Sequence, residues 1–305
     1  MTKLLTSSAL ALIASASLVA AQDISGTATI GYGRTDVSDT STDLDSITFD
    51  GNVAAAFDSG LLLGARATAM NVSVDDEPDL NASLLGASGG YRLGNGLRAG
   101  AYYERAHFGY GDFSGTANSY GATVGYDFTA GTVEGFYGRS AGSDLEDRNV
   151  HDYGVTGRYT AMDGLTFGGN LMRTNIALGG EDENLDLVGL AAVYDVTPAW
   201  TVFGGLTHSS IADADATTFG FGASYDLSGM VAVPTIVSVE LARTNFDGNG
   251  LDDEDLDVEG HGNTVRLGVT FPFGQTGSKL PANSVAGAVM TPSHSAVTQT
   301  VLSAF

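Results

Sequence analysis

The stretch Ser119-Tyr120-Gly121-Ala122-Thr123-Val124-Gly125-Tyr126-Asp127-Phe128-Thr129-Ala130-Gly131 decides the fold class. Tyr120, Ala122, Val124, Tyr126 and Phe128 alternate with Gly121, Thr123, Gly125 and Asp127, and Thr129-Ala130-Gly131 supplies the small residues of a tight turn. A period of two places all the large apolar groups on one face of a strand; on a helix they would scatter around the axis. The pattern recurs at Ser46 to Phe57, where Ile47, Phe49, Val53, Ala55 and Phe57 oppose Ser46, Thr48, Asp50 and Asn52. It returns at Thr217 to Leu227, with Phe219, Phe221, Ala223, Tyr225 and Leu227 against Thr218, Gly220, Gly222, Ser224 and Asp226. No sustained 3.6-residue pattern interrupts Gln22 to about Gly274, so that stretch is predicted to be all-β.

A longer period lies over the first. Phe57, Tyr91, Tyr126, Tyr159, Tyr194 and Tyr225 each precede a turn, at spacings of 34, 35, 33, 35 and 31 residues, or about two strands per repeat. The connections after most of these aromatics are short: Asp58-Ser59-Gly60, Gly94-Asn95-Gly96, Thr129-Ala130-Gly131, Ala161 to Gly164 and Thr197-Pro198-Ala199. The opposite connections read as longer and acidic: Asp36 to Asp45, Asp75 to Asp79, Gly109 to Asn118, Gly142 to Asn149, Gly179 to Asn184, Ile211 to Asp215 and Asp247 to Gly262. This asymmetry predicts a closed antiparallel transmembrane β-barrel with periplasmic turns and outer loops. In hydrocarbon every backbone group must be paired, so the sheet has to close. A soluble β-sandwich or β-solenoid also alternates, but neither requires the short/long asymmetry.

About 14 strands are expected between residues 22 and 274, an even number that returns both ends to the periplasmic side. The last, with Val265, Leu267, Val269, Phe271 and Phe273 on one face, is followed by a Ser/Thr/Ala/Val-rich segment, residues 275–305. That segment is read as a periplasmic tail; the alternative makes Val285–Met290 and Val297–Phe305 two further strands, 16 in all. Residues 1–21, with Lys3 before an apolar run ending in Val19-Ala20-Ala21, have the layout of a cleaved signal peptide.

Composition narrows the function. With 36 acidic residues against 13 basic ones and a net charge of −23, the chain repels phosphate backbones, so nucleic acid is no partner. The absence of cysteine removes disulfide scaffolds and thiolate metal sites, and 42 glycines without a three-residue period exclude collagen. A mean hydropathy of +0.07 suits a wall with one lipid face and one water face.

The signal-like leader, the opening Ile24-Ser25-Gly26-Thr27-Ala28-Thr29-Ile30-Gly31-Tyr32-Gly33, the hairpin Asp50-Gly51-Asn52-Val53 to Phe57-Asp58-Ser59-Gly60-Leu61, and Val265 to Phe273 resemble the Gram-negative porins. The acidic, glycine-rich, cysteine-free style is similar to those of α-proteobacteria. The resemblance implies an aqueous channel in the cell outer membrane for passive diffusion of small polar solutes, commonly a homotrimer, with a third outer loop folded into the lumen. Here Gly109 to Asn118 is short for such a loop.

The face opposite the apolar one carries Asp50, Arg66, Glu104, Asp152, Glu240 and Arg266 near mid-barrel as candidate pore-lining residues. Opposite charges across a pore order water and sort ions; the same residues could simply pair across strands to brace the wall. Arg92, Arg98 and Arg158 fall near the mouth. Phe57, Tyr91, Tyr126, Tyr159, Tyr194, Trp200, Tyr225, Phe271 and Phe273 are the candidate membrane-interface girdle, contacting outer-membrane lipids, with lipopolysaccharide on the outer side. No cofactor is expected. Asp247 to Asp257 lacks the Asp or Asn and the Gly that an EF-hand loop needs at its fifth and sixth positions. His208 and Ser209, the one His with an adjacent hydroxyl run, are strand neighbours and must point to opposite faces, so no catalytic pair forms and no enzyme is expected. The expected function is a cation-preferring diffusion channel; the alternative is a structural or surface-interaction barrel whose lumen is plugged by side chains or by the C-terminal tail.

Overall fold

The computed structural model describes residues 23–38, 43–74, 78–142, 150–178, 181–249, 257–274 and 278–303. The predicted leader, parts of five of the seven acidic outer connections and most of the Asp247 to Asp257 stretch lie outside these. Fourteen strands are described: β1 (Asp23–Val37), β2 (Asp43–Ala56), β3 (Leu61–Val74), β4 (Leu80–Arg92), β5 (Leu97–Tyr110), β6 (Phe113–Phe128), β7 (Gly131–Gly142), β8 (Val150–Met162), β9 (Leu165–Leu178), β10 (Glu181–Asp195), β11 (Trp200–Ile211), β12 (Ala214–Asp226), β13 (Ile236–Asn249) and β14 (Asp257–Phe273). Each pairs antiparallel with its sequence neighbours, and β1 closes on β14 with Gly26 opposite Phe273 and Ile30 opposite Val269. The result is a closed antiparallel β-barrel.

The two-residue period sorts the wall. In β1, Thr27, Thr29, Gly31 and Gly33 are buried toward the interior, while Ile30 and Tyr32 are exposed outside. The same outward apolar face carries Val124, Leu171, Phe221, Leu241 and Leu267. Large apolar groups on an outer surface would be costly in water and are what hydrocarbon contact requires.

The start of β1 and the end of β14 lie at the end of the barrel bearing residues 57–60, 93–96, 129–130, 163–164 and 196–199, here called the turn end. Not all connections at the other, loop end are long. The β5–β6 hairpin closes through Gly111-Asp112 and the β11–β12 hairpin through Ala212-Asp213, because the strands run on past the boundaries read from the alternation. No third outer loop is therefore available to fold inward.

The chief difference from the sequence reading is the C-terminal segment. The leading expectation places it outside the barrel and the sixteen-strand alternative adds it to the wall; of the sequence readings, the plugged-lumen alternative places it inside. Residues 278–303 lie inside the lumen and form two short helices, α1 (Val285–Met290) and α2 (Ala296–Ser303). With β1 already paired to β14, no free edge remains to accept further strands. Gly274 adopts φ 77° just after β14, where a side chain would collide with the Ile24 carbonyl. The segment then runs from the turn end, where Lys279 Nζ donates to the Pro198 carbonyl at 2.6 Å, past Thr29, and up to the loop half.

Candidate functional site

The lumen is shaped to hold this segment. Gly168 of β9, Gly189 of β10, Gly205 of β11 and Gly220 of β12 face inward on four consecutive strands and form the floor beneath α1. A Cβ on Gly205 would lie 2.6 Å from the amide nitrogen of Ala286, one on Gly220 would lie 2.8 Å from Val285, and one on Gly189 would lie 2.9 Å from Val289. On Gly168 it would overlap the Met290 side chain. Helix and wall thus touch at backbone distance, and Val285, Ala286 and Val289 are fully buried together with Phe203 and Ala191. Further up, Val301 and Leu302 of α2 pack on the buried cluster of Met70, Val72 and Ala82, which Leu44, Leu80 and Phe108 also flank.

Polar anchors complete the seat, and most bond to the backbone of the segment. Arg66 Nη1 donates to the Pro292 carbonyl at 2.8 Å, Arg158 donates to the Met290 carbonyl from Nε (3.0 Å) and again from Nη2, and Asn170 Nδ2 donates to the Val289 carbonyl at 3.2 Å. In the other direction, the Val285 amide donates to Glu240 Oε1 at 3.0 Å, the His294 amide to Glu104 Oε2 at 2.9 Å, and the Ala296 amide to Thr174 Oγ1 at 3.0 Å. Ser284 Oγ caps α1 by accepting from the Gly287 amide. His294 also meets Glu104 Oε1 through Nδ1 at 3.0 Å and stacks on Tyr102 with ring centroids 3.8 Å apart, with Phe136 edge-on to it.

The six candidate pore residues all project inward, but the structure groups them differently from a transverse field. Glu240 and Arg266 stand directly opposite on β13 and β14 and form a buried ion pair at 2.9 Å. Arg66 lies 3.8 Å from Glu104, so these two and His294 form one cluster at the segment. Asp152 is fully buried and accepts from Ser140 (2.5 Å) and Thr174 (2.6 Å). Asp50 and Arg66, although on neighbouring strands, are not register partners: Asp50 faces Thr68, and Arg66 faces Asn52. Asp50 instead lines a gap of about 30 Å³ between segment and wall, with Thr48, Thr68, Arg266, Asn283 and Ser284. That is room for one or two waters.

Below the segment, on the β1 to β9 side, a cavity of about 890 Å³ faces the turn end. Its charged lining is balanced: Arg66, Arg98, Arg158 and Lys279 against Asp50, Glu104, Glu134 and Asp195. The Pro292 to His294 turn stands over it. Arg98, one of the residues read as lying near the mouth, bonds Asp127 at 2.8 Å and approaches Glu134 at 3.6 Å.

On the outside, Tyr91, Tyr126, Tyr159, Tyr194 and Trp200 are exposed near the turn end, where Trp200 lies against Tyr225 and Phe128 stacks on Tyr159. Phe57 follows β2, and Phe271 and Phe273 close β14 at the same end, all three half-buried. His208 is exposed and bonds Thr217, while Ser209 is buried on the inner face.

Arg66, Glu104 and Glu240 are among the inward residues the sequence singles out, whereas Asn170, Thr174 and the apolar residues that also hold the segment are not. The signal lay on the inner face of the loop half, where Leu44, Met70, Val72, Leu80, Ala82, Leu84, Met172, Leu185 and Leu187 occupy positions that a water-filled lumen would give to polar groups. Leu84, Val72 and Leu187 are each 1% exposed, which only a filled lumen allows.

Fold and site together define an outer-membrane-type barrel whose lumen is occupied by its own C-terminal segment. A family model of the Gram-negative porins matches residues 57–211, just over half of the chain, and the chain belongs to that family. It therefore resides in the outer membrane. Among solved structures it is similar to the TodX monoaromatic hydrocarbon channel (10% identity, TM-score 0.54, covering 85% of this chain and 92% of that one). It is likewise similar to the anion-selective porin from Comamonas acidovorans (12% identity, TM-score 0.52, 82% and 99% covered) and to a FadL homologue from Pseudomonas aeruginosa (12%, TM-score 0.51, 82% and 90%). At these identities the likeness is one of fold. A comparison with curated protein sequences gives no match.

Proposed function

We propose that the protein is a non-enzymatic diffusion channel for small polar solutes and ions, held closed in this conformation by residues 278–303. The observation that carries this reading is the lumen: a cavity of about 890 Å³, with balanced charges in its lining, runs from the turn end to the segment, and among the described residues a gap of about 30 Å³ lies between segment and wall. Solutes pass when the segment leaves its seat. The net charge of −23 and the acidic outer connections favour cations at the outer mouth, so the open channel prefers cations, unlike the anion-selective porin of similar fold.

Planar-bilayer recording of the full chain and of a chain ending at Gln275 tests this reading. The full chain should conduct little, and the shortened one should give large ohmic steps with a reversal potential on the cation side under a salt gradient. Confirmed insertion of the shortened chain without conductance would defeat the channel assignment and leave a structural barrel, the reading that the filled lumen otherwise favours. The homotrimer that the family resemblance suggests is checked by mass photometry of the detergent-extracted protein.

A further inference from the structure

The two arginines that hold the segment are bonded to neutral oxygens. Arg158 of β8 turns both Nε and Nη2, the pair of donors that fits the two oxygens of a carboxylate, onto the single carbonyl oxygen of Met290. Arg66 of β3 gives Nη1 to the carbonyl of Pro292, two residues further on. Both arginines line the cavity of about 890 Å³ that faces the turn end, and so do Met290, Thr291 and Pro292. The bonds that tie down this turn of the segment are therefore made at the cavity wall, within reach of a solute.

The neighbouring acids are committed elsewhere. Asp127 takes Arg98 at 2.8 Å, and Glu134 lies 3.6 Å from the same guanidinium. Glu104 accepts from the His294 amide at 2.9 Å and meets its imidazole at 3.0 Å, while Asp195 accepts from Thr201 at 2.5 Å. Arg158 forms no ion pair with the described residues, and its guanidinium stays exposed to the cavity. Thr132, its register partner on β7, and Thr156, two positions along β8, add hydroxyl donors to the same wall. A guanidinium bonded to a carbonyl keeps its charge unmatched, whereas a carboxylate forms bonds about twice as strong with the same donors.

We infer, on the gating reading proposed above, that this cavity binds a small dicarboxylate entering from the turn end, which takes Arg158 and Arg66 from the Met290 and Pro292 carbonyls and so releases the segment. Carbonyls two residues apart are separated by about 7 Å or less, so both guanidiniums can reach one molecule of about four or five carbons. A ligand that binds better once the segment has left weakens the seat by the same factor by which the seat weakens the ligand. The dicarboxylate acts from the turn end and the cation preference arises at the outer mouth, so the opener and the conducted ions are different species.

Lys279 is the one Lys or Arg in residues 275–305, so tryptic release of residues 280–305 reports departure of the segment without any current being measured. The full chain in neutral detergent is treated with trypsin in succinate, and in acetate, succinamide or sodium chloride at matched ionic strength. Succinate should speed release by about tenfold or more, and the other three by less than about twofold. Calorimetry supplies the second readout. The chain ending at Gln275 keeps every strand paired on both sides, and should bind succinate about tenfold or more tightly than the full chain because no carbonyl competes. In that shortened chain Arg158→Gln should weaken succinate about tenfold or more, whereas Arg92→Gln, at a residue paired with Asp127 outside the cavity, should leave it within about twofold. Absence of succinate binding to the shortened chain, equal affinity in the two chains, an unchanged affinity in the folded Arg158→Gln chain, or release that acetate or chloride speeds as much as succinate would each overturn the inference. Succinate that binds and releases the segment from a barrel that still carries no current would defeat the channel assignment and leave the dicarboxylate site standing.

Discussion

Gly205→Ala is the smallest change that should open the channel. The added methyl would sit 2.6 Å from the Ala286 amide nitrogen and 2.8 Å from the Val285 carbonyl carbon. Both are backbone atoms that cannot swing aside. Restoring ordinary contact at 3.5 Å or more moves α1 off the wall by about 1 Å. That shift would stretch the Val285 amide bond to Glu240, now 3.0 Å, and the Asn170 bond to the Val289 carbonyl, now 3.2 Å, beyond useful length. Overpacking of this kind costs about 1–3 kcal/mol, and weakening two hydrogen bonds, one to a carboxylate, adds about 1–2 kcal/mol. A loss of about 2–5 kcal/mol in docking energy raises the ratio of undocked to docked segment by about 30-fold to 4,000-fold. Single-channel recording reads this ratio as open probability, with the chain ending at Gln275 defining the fully open level. Gly204→Ala, one residue away on the lipid face, is the control, because its Cβ meets no part of the segment. If Gly205→Ala gated like the unaltered chain while the shortened chain stood open, the glycine floor would not be what seats the helix.

Three further outcomes follow from the same contacts. Glu240→Gln leaves Arg266 buried without its counter-charge, and should lower stability to urea in detergent by about 3–5 kcal/mol, with the double change Glu240→Gln/Arg266→Gln costing less; an equal cost would mean that the ion pair is not what the site depends on. Val72→Ala removes packing against α2 and should cost about 1–3 kcal/mol in the full chain but almost nothing in the chain ending at Gln275, since its partners Val301 and Leu302 are then gone. Lys279→Glu loses a bond to the Pro198 carbonyl at the partly exposed turn end, and should raise open probability by no more than about fivefold.

How far the sequence could be read follows from which interactions have a period. The barrel was legible because each strand repeats one rule, apolar outward and small or polar inward. Val265, Leu267, Val269, Phe271 and Phe273 show it as plainly in the chain as on the wall of β14. The inward direction of Asp50, Arg66, Glu104, Asp152, Glu240 and Arg266 followed from the same rule. What they bind did not, since no period links Arg66 to Pro292 or Glu104 to His294. The outer turns were read as too long because Ser114 and Thr116 look like loop residues, although they pair with Gly109 and His107 above the apolar band, where a strand needs no apolar face.

The tail hid for a physical reason. The wall reaches it chiefly through its main chain: Arg66, Arg158 and Asn170 donate to carbonyls, and Glu240, Glu104 and Thr174 accept from amides. Such contacts ask for no particular side chain beyond small apolar ones that fit a glycine floor, so Val285-Ala286-Gly287-Ala288-Val289 carries no motif. The helices are too short to be stable alone in water; their order comes from the seat, where buried valines and backbone bonds replace what isolated turns lack. A segment held in this way can leave without unfolding the barrel, because every strand keeps both of its neighbours when the lumen empties. The apolar patch around Val72 and Leu80 would then face water, and covering it again drives the segment back into its seat. On the proposed reading closure is therefore the resting state, and the size of that patch, more than the count of hydrogen bonds, sets how rarely the segment leaves.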